Sequence, residues 1–218
     1  MNTLTSEPLA ALIERLYQTA ETATSPALDN MSDATREELL SSKTRYLELY
    51  WQLKDLWLPV SRETGKLLYL LARSSKARNI VEFGTSFGLS TLHLAAALRD
   101  NGGGVLISSE FEAAKIEMAR QHLQEGGLAD LVQIRAGDAL HTLARDLPER
   151  IDLVLLDGAK ALYGDILLLL QSRLAPGALI VADNSDYSPD YLAHVRSPAN
   201  GYLSVPVADD VELSIRLP

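Results

Sequence analysis

The sequence predicts a doubly wound α/β domain preceded by helices, and three observations support this fold class. From residue 79 onwards, short apolar segments of strand length alternate with longer segments of helical periodicity. Two of the short segments, LVLL at 153–156 and LIVA at 179–182, are continuously apolar, which is typical of parallel strands buried on both faces. Two further strand-like segments end the chain around the turn ADD, which predicts an antiparallel hairpin at the sheet edge.

Each element of the domain can be assigned from this alternation. The five predicted parallel strands are NIVEFG (79–84), GVLISSE (104–110), VQIRAGD (132–138), IDLVLLDG (151–158) and ALIVADN (178–184). Helices are predicted after the first four strands, at 89–100, 112–127, 139–147 and 163–174, with a short one at 188–196. The hairpin strands are GYLSVPV (201–207) and VELSIRL (211–217). Before the sheet, we predict a helix at 6–22 capped by Ser6, a single helix over 35–57, and a third within 58–74.

Composition narrows the class of protein. The 218 residues suit one domain with a sizeable core, and the absence of cysteine excludes disulfides, cysteine-ligated metals and thiol catalysis. No signal-peptide pattern opens the chain, and no apolar run approaches the ~18 residues of a membrane span. We therefore expect a cytoplasmic protein without a membrane partner. The net charge of −9 repels phosphate backbones, so no nucleic-acid partner is expected.

The stretch VEFGTSFGLS at 81–90 indicates a nucleotide-binding turn between a strand and a helix. An ATP-binding P-loop would need a lysine after its second glycine, and Leu89 follows Gly88 instead. A dinucleotide-binding turn would need a glycine where Ser86 stands. S-adenosylmethionine has no phosphate and carries two cationic groups, so the carboxylate of Glu82 beside the loop favours it. Further carboxylates, Glu110 and Asp138, end the second and third strands, at the edge where open α/β sheets bind ligands.

A second group of oxygen-bearing side chains follows strands four and five. Asp157 ends the fourth strand, and Asp183 and Asn184 end the fifth. Three hard oxygen ligands suit Mg²⁺ or another divalent cation. On spacing alone, however, strand-end aspartates without a metal remain an alternative, because such residues are common in α/β folds.

In these motifs the sequence resembles the metal-dependent O-methyltransferases that include catechol and caffeoyl-CoA O-methyltransferases. The resemblance covers roughly residues 55–217 and rests on VEFGTSFGLS, SSEFE, AGDAL, LLDGAKALY and VADN. It implies a Rossmann-like class I methyltransferase sheet, with a methyltransferase domain at 59–218 and a helical cap or oligomerisation segment at 1–58. Both a homodimer and a monomer are compatible with it. The family often has an aromatic or acidic residue after the first metal ligand, where this sequence has Gly158 and Ala159.

The resemblance also implies roles for individual residues. The residues matching cofactor-contacting positions are Val60, Glu82, Gly84, Ser90, Glu110, Asp138 and Asp157. Asp157, Asp183 and Asn184 match the metal ligands, and Lys160 matches the catalytic lysine. We expect Lys160 to act as general base, with a pKa lowered by the neighbouring cation.

The function expected from these residues is transfer of a methyl group from S-adenosylmethionine to a hydroxyl of a small, catechol-like acceptor with vicinal hydroxyls, assisted by Mg²⁺. Three alternatives stay open at this point: a tRNA-modifying methyltransferase of the same fold, an NAD-dependent oxidoreductase, and a protein that binds S-adenosylmethionine without catalysis.

Overall fold

The sheet contains every strand that the sequence predicts. The structure, a computed structural model, describes residues 2–23, 32–208 and 210–218. The strands are β1 (Asn79–Phe83), β2 (Val105–Glu110), β3 (Val132–Ala136), β4 (Ile151–Leu156), β5 (Leu174–Ala182), β6 (Tyr202–Pro206) and β7 (Glu212–Arg216). They form one sheet in the order β3-β2-β1-β4-β5-β7-β6.

The strand directions place the carboxyl ends of β1–β5 along one edge. These five strands are parallel, whereas β7 runs antiparallel to both β5 and β6. The order reverses between β1 and β4, because the chain proceeds outwards from β1 through β2 to β3 and then returns to β4. Such a switch point opens a crevice at the carboxyl edge of the sheet. The predicted class, five parallel strands with a C-terminal antiparallel hairpin, is confirmed.

Helices lie on both faces of this sheet and over the carboxyl ends of its strands. They are α1 (Leu9–Thr22), α2 (Asp33–Ser41), α3 (Tyr46–Gln52), α4 (Arg62–Ser74), α5 (Leu89–Asp100), α6 (Ala113–Glu125), α7 (Ala139–Thr142), α8 (Tyr163–Leu170) and α9 (Pro189–Val195). None of the helices that the structure describes is long and apolar enough to cross a membrane.

Two apolar layers hold the helices to the sheet. One contains the buried leucines of α1, α4 and α5 and the side chains of β1 that face them. The other packs α8 and α9 against the opposite face of the sheet. Helix α5 is buried continuously from Leu89 to Leu98, because α1 and α4 cover the side that points away from the strands. Since α1 contributes to this shared core, the division at residue 58 stays a prediction.

Three sequence predictions of local structure are wrong. The single helix over 35–57 is two helices, because Ser42 has an extended backbone and its hydroxyl accepts hydrogen bonds from the N–H groups of Thr44 and Arg45. Helix α1 begins after Pro8 and not at Ser6. The helix predicted at 139–147 ends at Thr142.

Candidate active site

The loop after β1 depends on Gly84. This residue has a φ of +103°, and a Cβ there would lie 2.5 Å from the carbonyl oxygen of Asp157. The N–H groups of Gly84 and Thr85 both donate to the carbonyl of Ser109. The loop therefore passes closely over the ends of both neighbouring strands, and only glycine combines the left-handed backbone with that approach.

Glu82 lies beneath this loop and is fully buried. Its carboxylate accepts hydrogen bonds from the hydroxyls of Ser90 (2.6 Å), Thr91 (2.7 Å) and Ser108 (2.5 Å). Burial raises the pKa of Glu82 to about 7, against the opposing effect of these three donors. The structure thus joins two of the predicted cofactor residues, Glu82 and Ser90, but turns the carboxylate towards hydroxyls of the chain itself.

A cavity of about 670 Å³, called here the β1–β3 cavity, opens above the ends of β1, β2 and β3. Four predicted cofactor residues line it: Gly84, Glu110, Asp138 and Asp157. Tyr46, Leu47, Tyr50 and Leu58 from the N-terminal segment line it as well.

Glu110 is held in place by the backbone around it. One carboxylate oxygen accepts from the N–H of Ser86 at 2.8 Å, and the other accepts from the N–H groups of Phe111 and Glu112. The end of β2 is therefore tied to the β1 loop through one side chain, which orients the carboxylate at the cavity wall.

Asp138 occupies the corresponding position after β3. Its Oδ1 accepts from the N–H of Leu140 and so caps α7, while its Oδ2 accepts from the hydroxyl of Tyr46 at 2.6 Å. The sequence identified Asp138 but not Tyr46, which lies 92 residues earlier.

A smaller neighbouring cavity, the Trp57 cavity, contains Val60 and Ser90 in its wall, again with Gly84 and Asp157. The Trp57 ring stacks on Phe87 of the β1 loop with 4.1 Å between ring centroids. The structure places Val60 beside the β1 loop, and all seven predicted cofactor positions lie at or directly beneath this part of the sheet edge. Their contact with a cofactor stays a prediction.

The ends of β4 and β5 carry the second half of the site. Lys160 is 8% exposed, and its Nζ donates to the Asp157 carboxylate (2.9 Å), the Tyr163 hydroxyl (2.9 Å) and the Asp183 carbonyl (3.3 Å). The Tyr163 hydroxyl donates to the same Asp183 carbonyl at 2.7 Å. Lysine, tyrosine and both aspartates thus form one buried network.

The protein groups around Lys160 favour its charged form. Burial disfavours the ammonium, yet the contacts with Tyr163 and Asp157 outweigh burial and raise the pKa of Lys160 well above its ordinary value. Sequence analysis expected the opposite direction, on the assumption of a neighbouring cation. The difference arises because Lys160 is itself the nearest cation to Asp157.

Several carboxylates lie close together beside this network. Burial, together with the charges of Asp157, Asp210 and Asp186, raises the pKa of Asp183 to about 7. Burial raises the pKa of Asp157 as well. The Asn184 side chain donates its amide to Asp210 Oδ2 at 2.8 Å, which leaves the Asn184 Oδ1 as an acceptor. Sequence reasoning did not identify Asp210, although the ADD turn of the hairpin contains it.

These residues face a large cavity, the β4–β5 cavity, of about 1,270 Å³. Asp157, Lys160, Asp183, Asn184 and Asp210 line its polar side. Leucines of α2, α3 and the segment after α3 line the apolar side: Leu40, Leu49, Leu53, Leu56 and Leu58. Asp157 also lines the two other cavities, so all three meet at the end of β4.

The donor set fits an oxygen-coordinated divalent cation. Asp157, Asp183 and Asn184 supply two carboxylates and an amide oxygen. Burial, together with the charge of neighbouring carboxylates, raises the pKa of both aspartates, and a bound cation would offset that cost. Across the described ranges, no three His, Cys, Asp or Glu side chains form a group that could hold a metal ion. The predicted set has only two such side chains.

Gly158 departs from the family pattern for a steric reason. A Cβ at this position would lie 2.5 Å from ring carbons of Phe83 at the end of β1. The aromatic ring occupies the space that a larger residue would need, so Phe83 and Gly158 form a size-matched pair.

Comparison with known proteins is consistent with this geometry. Residues 81–185 match the family model of a methyltransferase domain. A catechol O-methyltransferase from Niastella koreensis is 38% identical over 128 residues, 57% of this chain and 57% of the relative. One from Mycobacterium tuberculosis is 38% identical over 128 residues, 57% of this chain and 56% of the relative. The aligned part thus spans little more than half the length of these relatives.

Solved structures match over nearly the whole chain. The O-methyltransferase TomG from Streptomyces achromogenes, solved in complex with SAM, has a TM-score of 0.66 and 26% identity, covering 93% of this chain and 95% of that chain. An O-methyltransferase from Bacillus cereus, in complex with SAH, has a TM-score of 0.67 at 23% identity, covering 91% and 100%, and shows the fold alone.

The sheet order, the β1 loop and the carboxylates at successive strand ends define the class I methyltransferase fold. Within that class, residues 81–185 match a methyltransferase domain, and the chain is similar to S-adenosylmethionine-binding O-methyltransferases.

Proposed function

We propose that this protein transfers a methyl group from S-adenosylmethionine to a hydroxyl of a small acceptor with vicinal hydroxyls, assisted by Mg²⁺ or another divalent cation. The observation that carries the proposal is the position of Asp157. It lines the β1–β3 cavity, the Trp57 cavity and the β4–β5 cavity, so a ligand in the first two would meet an acceptor in the third. Holding two reactants in contact is a large part of such catalysis.

The β1–β3 cavity and the Trp57 cavity are the proposed cofactor site. Glu110 and Asp138 offer fixed carboxylate oxygens for donors of the nucleoside. Val60, Ser90 and Gly84 lie at the other end, in the Trp57 cavity. Glu82 lies beneath this site and supports the β1 loop, because its carboxylate accepts hydrogen bonds from the hydroxyls of Ser90 and Ser108.

The β4–β5 cavity is the proposed acceptor and metal site. Asp157, Asp183 and Asn184 would hold the cation, which when bound supplies a Lewis acid that lowers the pKa of a coordinated hydroxyl. The leucines of the opposite wall would bury the apolar part of the acceptor. Most charged residues in the cavity wall are acidic, which disfavours an anionic acceptor.

Lys160 is the proposed proton acceptor. In the network described above its ammonium is held by Asp157 and Tyr163, and a protonated amine cannot accept a proton. We infer that Lys160 becomes a base only when Asp157 is engaged by another cation, as it would be when serving as a metal ligand. Asp157 would therefore link metal binding to the proton transfer.

The N-terminal segment is the proposed cap. Tyr46, Leu49, Tyr50 and Leu53 face the cavities from α3 and the residue after it. We keep residues 1–58 as the cap and 59–218 as the methyltransferase domain, with a homodimer as a further expectation that size-exclusion chromatography with light scattering would test.

The deciding experiment measures methyl transfer from labelled S-adenosylmethionine to a panel of vicinal dihydroxy aromatics, with Mg²⁺ and with EDTA. We expect turnover with Mg²⁺, loss of turnover with EDTA, and loss of turnover in Lys160→Met. Turnover unaffected by EDTA would refute the proposed role of a divalent cation. A melting temperature raised by NAD and not by S-adenosylmethionine would refute S-adenosylmethionine as the cofactor. Methylation of tRNA alone would refute a small molecule as the acceptor.

A further inference from the structure

Helix α3 presents two tyrosines to the cofactor cavity. Tyr46 and Tyr50 are four residues apart, so they lie on one face of the helix, and both line the β1–β3 cavity. Both precede residues 81–185, the part of the chain that matches the methyltransferase family model. The Tyr50 hydroxyl donates to the carbonyl of Gly158 at 3.3 Å, near the geometric limit, whereas Tyr46 makes a short bond to a carboxylate.

The Tyr46 bond has the properties of a fixed contact. Its hydroxyl lies 2.6 Å from Asp138 Oδ2. Burial and the neighbouring carboxylate both raise the pKa of Tyr46 far above its ordinary value. Tyr46 therefore stays protonated and donates at all physiological pH values.

The same bond leaves Asp138 able to bind a ligand. A carboxylate offers roughly four acceptor positions, and the structure shows two of them in use, by Leu140 N–H and Tyr46. With Tyr46 in its wall, the cavity still opens to solvent and leaves empty space between Asp138, Glu110 and Asp157. Tyr46 is therefore part of the wall and does not fill the space that a ligand needs.

We propose that Tyr46 is a positioning residue for the cofactor: its hydroxyl fixes the Asp138 carboxylate and holds α3 against the ends of β1–β3, so that the N-terminal segment contributes directly to S-adenosylmethionine affinity. This inference rests on the proposed function. It assigns part of the cofactor site to a segment that lies outside the matched methyltransferase domain.

Calorimetric titration of S-adenosylhomocysteine into the full chain tests the proposal. We expect Tyr46→Phe to weaken binding about tenfold, which is the effect of losing one hydrogen bond to a charged group. Tyr69→Phe is the matched control, because the Tyr69 hydroxyl also donates to a carboxylate, Asp100, at 2.7 Å, away from the three cavities. It should bind S-adenosylhomocysteine within about twofold of the unsubstituted protein.

Two further readouts separate positioning from a general loss of structure. In steady-state kinetics, Tyr46→Phe should raise KM for S-adenosylmethionine about tenfold with little change in kcat, since it removes binding common to ground and transition states. In an Asp138→Ala background, Tyr46→Phe should weaken binding less than about twofold further, because either change alone removes the Tyr46–Asp138 hydrogen bond.

The outcomes are distinguishable. Unchanged or tighter binding by Tyr46→Phe would overturn this inference and leave the proposed function standing. Equal losses in Tyr46→Phe and Tyr69→Phe would also overturn it, because the effect would then be one of stability. Failure of the unsubstituted protein to bind S-adenosylhomocysteine or S-adenosylmethionine would overturn the proposed function itself, and this inference with it.

Discussion

The proposed cofactor half of the sheet edge, at the ends of β1–β3, and the proposed acceptor half, at the ends of β4 and β5, both contain buried carboxylates, but these carboxylates have different partners. In the cofactor half, Glu82 and Glu110 accept hydrogen bonds from hydroxyls and backbone N–H groups of the chain. In the acceptor half, burial together with the charge of nearby carboxylates raises the pKa of Asp157 and Asp183, and Lys160 is the cation within their network. The carboxylates of the first half have hydrogen-bond donors within the chain, whereas those of the second half outnumber their cations. This difference suits the proposed nucleoside site in the first half and the proposed divalent-cation site in the second.

The largest expected effect comes from removing a carboxylate of the acceptor half. Asp183→Ala should lower turnover by about a thousandfold or more, equivalent to ~4 kcal/mol, because it removes a proposed metal ligand. The increase in melting temperature on adding Mg²⁺ should disappear with it. Asp186→Ala is the control, since Asp186 is exposed and should keep turnover within about threefold. A Mg²⁺-dependent shift that survives in Asp183→Ala would show that the cation binds elsewhere.

The β1 loop of the cofactor half should tolerate no side chain at Gly84. Gly84→Ala combines a φ of +103° with a Cβ 2.5 Å from a backbone oxygen, so we expect a loss of roughly 3 kcal/mol or more in unfolding free energy. Gly127→Ala is the matched control: φ is +67°, but nothing lies within 4 Å of the added Cβ, and about 1 kcal/mol is expected. Urea denaturation measures both, and equal losses would show that close approach to Asp157 is unimportant.

The pH dependence of stability should distinguish two buried glutamates. The pKa of Glu82 is raised to about 7 from 4.5, so its stabilising contribution is complete below the unfolded pKa and is lost as pH rises towards 7. Glu82→Gln should remove that decline, worth on the order of 3 kcal/mol between about pH 4.5 and 7. Because other groups, Asp183 among them, titrate in both proteins, the difference between variant and unsubstituted protein is the quantity to measure.

Glu212 provides the opposite case. It is also fully buried, but Arg196 donates to both of its oxygens and lowers its pKa. Its contribution is present above the unfolded pKa and lost only at more acid pH, so Glu212→Gln should destabilise by an amount that is constant from pH 5 to 8. The quantity compared is the difference in unfolding free energy between each variant and the unsubstituted protein. A pH-dependent difference for Glu212→Gln, or a pH-independent one for Glu82→Gln, would contradict the environments assigned to these two residues.

The smallest expected effect concerns the contact between the two halves. Gly158→Ala should destabilise by about 1–3 kcal/mol, because its Cβ would overlap the Phe83 ring. Phe83→Leu leaves room beside Gly158. The double variant Phe83→Leu/Gly158→Ala should therefore lose less unfolding free energy than the two single variants lose together. A double-mutant cycle in urea measures this coupling. Strict additivity would mean that the Phe83 ring is not the reason why position 158 requires glycine.

The amino-acid sequence by itself determined much of this architecture. The alternation of strands and helices was readable because apolar periodicity is a local property, and α5 begins and ends as predicted at Leu89 and Asp100. Glu110 and Asp138 were identifiable because parallel strands carry ligand-binding residues at their carboxyl ends. Sequence analysis missed the break between α2 and α3. The helical periodicity continues through it, but the Ser42 hydroxyl accepts a backbone N–H and ends the helix there.

Only the tertiary structure decided which side chains complete the site. Tyr46 meets Asp138 across 92 residues, and Asn184 meets Asp210 across 26. The sequence placed Glu82 beside the loop, but strand geometry turned its carboxylate towards Ser90, Thr91 and Ser108. The charge state of Lys160 likewise depends on how closely Asp157 and Tyr163 surround it. Local patterns specify what each segment becomes, whereas hydrogen bonding and electrostatics act over a few ångströms between segments that only folding brings together.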